Sequence, residues 1–250
     1  MTDETTSEFR NLLSEVDLPK LANALAAVDV REPIYLIESP SPDDLYCGRN
    51  EGDALARTLS LGEIDVQYYL ATNDEQFERA FDDIAIRFNS LEDSAIKMPF
   101  VHFSAHGRED GFDLTDGDYF PWEKFTRKLH YLSDVVGTLN LPPPFPPNLP
   151  RINVSLSSCS AFRNYRPTIE KDFPFQLLVG PNVDIGWCQA LIGFSTFFYQ
   201  AFVQKNSFET ALKSMNIAAA SEEKPIFEIL REHDLKSMTL LAAMELYKKV

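Results

Sequence analysis

Apolar residues recur along this chain in two alternating patterns: short unbroken runs rich in β-branched and aromatic side chains, and longer stretches at helical spacing. The runs PIYLIES (33–39), IDVQYYLAT (64–72), PFVHFSAHG (99–107), RINVSLSSCS (151–160) and FQLLVGPN (175–182) predict strands, the first reading as a buried parallel strand leading into a loop. Between them, EGDALARTLSLG (51–62), NDEQFERAFDDIAIRFNS (73–90) and EKFTRKLHYLSDVVG (123–137) predict helices, the first with a glycine stop and the second with Asn73 or Asp74 as cap. The chain after residue 184 reads as helical to its end, through IGWCQALIGFSTFFYQAFVQ, SFETALKSMN and two closing segments. GFDLTDGDYFPW (111–122) alternates around Asp116-Gly117 and predicts a small hairpin. Strands alternating with helices imply an α/β fold, a mostly parallel central sheet flanked by helices on both faces.

Three further segments complete the pattern. Residues from about Ser7 to Val28 form an amphipathic helical repeat interrupted at Pro19, which sets a helical extension (1–30) ahead of one domain (31–250). LPPPFPPNLP (141–150) cannot be a helix or a central strand, because proline lacks the amide donor, and reads as a surface loop. Asn164 to Phe173 is polar and also reads as a loop.

Composition narrows the function classes. With a formal net charge of -15 among 250 residues, the chain lacks the clustered basic residues that phosphate backbones require, so no direct nucleic-acid partner is expected. No apolar run is long enough to span a membrane, and the acidic N-terminus has no secretory apolar region. Three cysteines without CxxC spacing argue against a disulfide framework or a structural zinc site, and a reducing cytoplasm is the expected location.

Two strand ends carry candidate chemistry. Ligands of open parallel sheets bind beyond the carboxyl ends of the strands. His106-Gly107 closes one strand and Cys159 closes the next long one. Consecutive parallel strands are usually neighbours. An imidazole and a thiol are therefore expected at the same sheet edge, in reach of one bound carbonyl. Such a pair suits nucleophilic catalysis: the thiolate attacks, the histidine takes and returns the proton, and the amides of Gly107 and Cys159 receive the oxyanion. The plainer alternatives are a turn at His-Gly and a small buried hydrophobe at Cys159.

The set VHFSAHGREDGFDLTDG, INVSLSSCSAF and LLVGPNVDIGWCQALIGFSTFFYQAF resembles the caspase-like (clan CD) cysteine peptidases, and is most similar to their CHAT-domain branch. The resemblance covers roughly residues 33–216. It implies a caspase-hemoglobinase-like fold, His106 as general acid and base, Cys159 as nucleophile, and an oxyanion hole at Gly107 and Cys159. It also implies a protein substrate added as a strand beside the sheet, chemistry without metal or organic cofactor, and a regulatory or activating protein partner in a bacterial immune (antiviral) or cell-death system. Related metacaspases carry an acid two residues before the nucleophile, which helps accept basic side chains; this chain has Ser157 there, so the resemblance does not extend to an Arg or Lys preference, and an apolar substrate pocket is equally allowed. Arg31, Arg49, Arg163 and Arg166 are candidates to meet an acidic substrate residue, and Cys47 lies in a loop at the same end of the sheet.

The remaining candidates have structural readings. His102 is expected to pack against the sheet, Cys188 to sit in the core of its helix, and Asp113 and Asp116 to serve the hairpin, with orientation of His106 as a lesser role. A zinc site at His102, His106 and Cys159 lacks a fourth ligand, and a nucleotide-binding fold lacks its glycine-rich motifs. A catalytically silent binding module on the same fold is the alternative to a peptidase.

Overall fold

The computed structural model describes residues 28–29, 33–90, 96–139, 148–169, 173–219 and 225–231. Arg31, the expected helix up to residue 27, the proline run from 141 to 147 and the segment after 231 lie outside the described residues. Val28 opens a short strand instead of closing a helix.

In chain order the elements are β1 (Val28–Asp29), β2 (Ile34–Ser39), α1 (Pro42–Tyr46), α2 (Glu51–Leu61), β3 (Val66–Leu70), α3 (Asp74–Ser90), β4 (Ile96–Lys97), β5 (Phe100–Gly107), β6 (Gly111–Asp113), β7 (Tyr119–Pro121) and α4 (Trp122–Val136). There follow β8 (Thr138–Leu139), β9 (Leu149–Pro150), β10 (Asn153–Ser157), α5 (Ala161–Ile169), β11 (Leu177–Pro181), α6 (Trp187–Phe198), a π-helical turn (Tyr199–Val203), α7 (Phe208–Ala219) and β12 (Phe227–Arg231).

The main sheet runs β12-β11-β10-β5-β2-β3, with the β6–β7 hairpin extending from the end of β5. All pairs along this path are parallel except β11–β12. The fold is α/β with a mostly parallel central sheet, an architecture compatible with a caspase-like fold. β5 lies between β2 and β10, in register Leu36↔His102↔Ser155 and Glu38↔Ser104↔Ser157.

Strand alternation divides the core in two. Tyr35, Ile37, Val101, Phe103, Val154 and Leu156 pack with α3, α4 and α5, where Phe77, Phe81, Phe120 and Phe125 form a ring cluster. Ile34, Leu36, Phe100, Leu177 and Val179 face α2, α6 and α7, against Phe194, Phe197, Phe198 and Phe208. On this second face the strands turn polar toward their carboxyl ends, through His102, Ser104, Ser155, Ser157 and Glu38, all buried.

Two expectations are corrected. The polar stretch after Ala161 is helical as far as Ile169, because Ala161, Phe162 and Tyr165 fall on one buried face while Arg163 and Arg166 point outward. Near the C-terminal end, 227–231 is a strand and not a helix. It adds antiparallel to β11, and Asn216 of α7 fixes its start by accepting from the Ile226 and Phe227 amides at 2.8 and 2.9 Å. Backbone pairing outweighs the weak helical preference of a five-residue segment.

Phe81→Ala removes a fully buried ring that meets Phe77 and Phe103. It should cost about 3–5 kcal/mol, read in urea unfolding as a lower midpoint at unchanged slope.

Candidate active site

The register carries His106 and Cys159 to one end of the sheet. Gly107 makes their approach possible. A Cβ on Gly107 would lie 2.6 Å from Ser158 Oγ and 2.9 Å from Cys159 N, closer than any side chain tolerates. The two strand ends therefore touch through backbone. Arg108 N donates to Gly111 O at 2.8 Å, so the hydrogen-bonded pairs of the β5–β6 ladder fall on Arg108 and, two residues back, His106. Gly107 lies between them, and its amide is free of that ladder. The Cys159 amide has no acceptor among the described residues.

Cys159 sits on a sharp turn between β10 and α5. Ser160, next to it, has a φ of 52°, a conformation that costs free energy for a residue with a side chain. The turn is held from the loop after β11: Ser160 N donates to Val183 O at 3.1 Å and Ser160 Oγ to Asp184 Oδ1 at 2.7 Å. Cys159 Sγ donates to Ile185 O at 3.5 Å. Among the described residues the sulfur and the imidazole are not hydrogen-bonded to each other. They line one cavity of about 100 Å³, together with Ala105, Ser157, Ile185 and Trp187. Trp187 meets the His106 ring edge to face at 4.9 Å between centroids.

His106 has a partner the sequence reading missed. Its Nε2 lies 2.8 Å from Asp44 Oδ2. Asp44 stands on α1, directly beyond the end of β2, and is buried. The local sequence S-P-D-D builds this position: Ser41 caps the helix, Pro42 occupies its first turn, and Asp44 is the third helical residue. Ser41 Oγ donates to Asp44 Oδ2 at 2.6 Å and Arg49 Nε pairs with Oδ1 at 2.9 Å. Burial pushes the Asp44 carboxyl up, but the hydrogen bonds from Ser41 and His106 and the charges of His106 and Arg49 outweigh it and hold the group below its ordinary value. An ionised Asp44 accepts only. In the neutral form of the imidazole the proton therefore sits on Nε2, and Nδ1 is the acceptor.

Asp113 and Asp116 are elsewhere engaged: Asp113 pairs with Arg108 at 2.6 Å, and Asp116 accepts from Asp118 N at 2.9 Å. The hairpin is tied to β2 through Thr115, whose amide donates to Ser39 Oγ at 3.1 Å and whose hydroxyl donates to Pro40 O at 2.6 Å.

The other candidates fall into three places. Ser157 lines the cavity under Cys159. Arg163 lines a second, open cleft of about 530 Å³ on the far side of the thiol, with Gly107, Arg108, Asn164 and Asp184, and Arg166 is exposed further along α5. Arg49 braces Asp44. Cys47 caps α1 and is exposed, and so is Cys188, which was expected in the core. Cys188 lies in the first turn of α6, on the face away from Ala190 and Phe194. His102 is buried as expected, edge to face with Phe194 at 4.6 Å. No group of three or more His, Cys, Asp or Glu is placed to hold a metal ion among the described residues, and no described helix is long and apolar enough to cross a membrane.

Asp44→Asn should slow reaction of Cys159 with a peptide-like electrophile about 10²-fold at neutral pH. Because the folded carboxyl titrates below its ordinary value of 3.8, the stability it contributes is complete above that pH and is lost as pH falls through its folded value. The difference in unfolding free energy between wild type and Asp44→Asn should therefore shrink only in acid. No protein-family model matches the chain, and no curated protein matches it.

Proposed function

We propose that the protein is a cysteine endopeptidase that cleaves a protein partner through Cys159 and His106. The observation that carries this reading is the backbone contact at Gly107, beside which the Cys159 thiol and a histidine with an ionised carboxylate partner line one small cavity, while Gly107 and Cys159 line the neighbouring cleft. In the reaction, His106 Nδ1 takes the Cys159 proton and the thiolate adds to the substrate carbonyl. The Gly107 and Cys159 amides receive the oxyanion. His106 then protonates the departing amine, and water, deprotonated by the same ring, releases the acyl group. Activation by a protein partner and a role in bacterial antiviral defence or cell death rest on the resemblance to CHAT-type peptidases, and a cytoplasmic location on three cysteines without disulfide or zinc spacing.

One observation favours a second reading, a silent binding module on the same fold. The Cys159 thiol donates to the Ile185 carbonyl and not to the imidazole. Thiol reactivity separates the two. Cys47 and Cys188 are exposed while Cys159 is half-buried, so access alone ranks Cys159 last. A peptidase should show Cys159 outrunning both toward a peptidyl electrophile, with the advantage lost in His106→Ala. Peptide cleavage should disappear in Cys159→Ala, whose thermal unfolding should stay close to wild type. Labelling ordered by exposure alone would establish the module instead.

A further inference from the structure

Beneath the cavity the second face of the sheet holds a buried, unbalanced set of polar groups. Ser104 and Ser157 face each other across β5 and β10. Both hydroxyls are buried and have no hydrogen-bond partner among the described residues, and Ser157 opens into the cavity shared with Cys159. This serine rung lies two residues below His106, roughly 7 Å at the rise of a strand. The span matches a long side chain entering from the scissile carbonyl.

Two buried carboxylates lie on this side of the sheet, Glu38 level with the rung and Glu51 beside His102, two residues below it. Glu38, in register with Ser104, is fully engaged: it accepts from Gly52 N at 2.7 Å, Asp53 N at 3.1 Å and Tyr68 Oη at 2.7 Å. Gly52 is glycine because a Cβ there would stand 2.9 Å from the Glu38 side chain. Glu51, at the start of α2, is the opposite case. It is 4% exposed, and among the described residues neither oxygen has a hydrogen-bond partner. Among the described residues its nearest basic group is His102 Nε2 at 3.9 Å, too far for a hydrogen bond and without another partner there, while His102 Nδ1 is taken by Ser155 Oγ at 2.7 Å. Among the described residues no lysine or arginine is buried.

A buried bare carboxylate costs several kcal/mol, and a second acid beside it adds to that. The same strain is visible at Glu38, whose carboxyl is pushed above its ordinary value by burial and by the Glu51 charge, against the hydrogen bonds of Tyr68, Gly52 and Asp53. What the pocket lacks is a cation of side-chain length arriving from the cavity. We infer that the residue before the scissile bond is a lysine or arginine, whose charged end passes Ser157 and Ser104 and pairs with Glu51. The inference rests on the peptidase reading and gives it a substrate class. The acid that selects the substrate comes from the start of α2, and the position two before the nucleophile stays a small serine because the side chain must pass it. Since the cavity holds only about 100 Å³, binding widens it, and the new ion pair supplies the driving force.

Two measurements test it. In competition labelling of Cys159, a peptidyl electrophile ending in lysine or arginine should be preferred over its leucine counterpart by roughly tenfold or more, and Glu51→Gln should erase that ratio. A wild type that prefers the leucine probe, or a ratio unchanged in Glu51→Gln, overturns the inference. The second measurement needs no turnover. Agmatine should raise the melting temperature of wild type and leave Glu51→Gln unmoved; equal shifts, or none, overturn it. If neither peptidyl probe labels Cys159 yet agmatine still stabilises wild type through Glu51, the cation site stands and the peptidase reading fails.

Discussion

The candidate chemistry depends on one close pass of backbone, Gly107 against Ser158 and Cys159. The β5–β10 register brings two strand ends level, but level strands alone leave side chains between them. The missing Cβ at Gly107 lets the main chains meet, and beside that contact the imidazole and the thiol line one cavity while Gly107 and Cys159 line the neighbouring cleft. The surrounding parts restrain it: the hairpin, tied to β2 through Thr115, fixes the end of β5, and Asp184 fixes the turn after Cys159 through Ser160.

Acidic side chains around this contact are treated in three ways, and the difference carries functional content. Asp44 is bonded by a serine, an arginine and the histidine, which keeps it ionised and fixes the tautomer of His106. Glu38 is bonded by two amides and a tyrosine and anchors the start of α2 to the sheet. The Glu51 carboxylate has no hydrogen bond among the described residues. In a chain of net charge -15 exposed acids are solvated and cost little, whereas a buried one needs a partner. The first two have theirs within the fold, and the third is the group most suited to meet a ligand.

Much of this was readable from hydrophobic periodicity. The five parallel strands, the hairpin and the helices α2, α3, α4, α6 and α7 follow from apolar spacing and local stop signals, and the pairing of β5 with β10 follows from chain order. What was missed depends on contacts distant in sequence. The strand at Phe227–Arg231 exists because β11 offers an edge, and α5 exists because Phe162 and Tyr165 find the core. Asp44 is 62 residues from His106. The S-P-D-D capping signal could have placed a helix start at the end of β2, but not its facing histidine. Cys188 looked like core from its apolar neighbours, yet the first turn of α6 turns it outward.

The most direct test of the central claim is a crystal structure of the protein with a peptide aldehyde bound at Cys159. The sulfur should form a hemithioacetal whose oxygen lies about 2.7–3.1 Å from the amides of both Gly107 and Cys159, with His106 still bonded to Asp44. An aldehyde bound at another cysteine, or a Cys159 adduct whose oxygen points away from both amides, would contradict the assignment of these strand ends as a catalytic site.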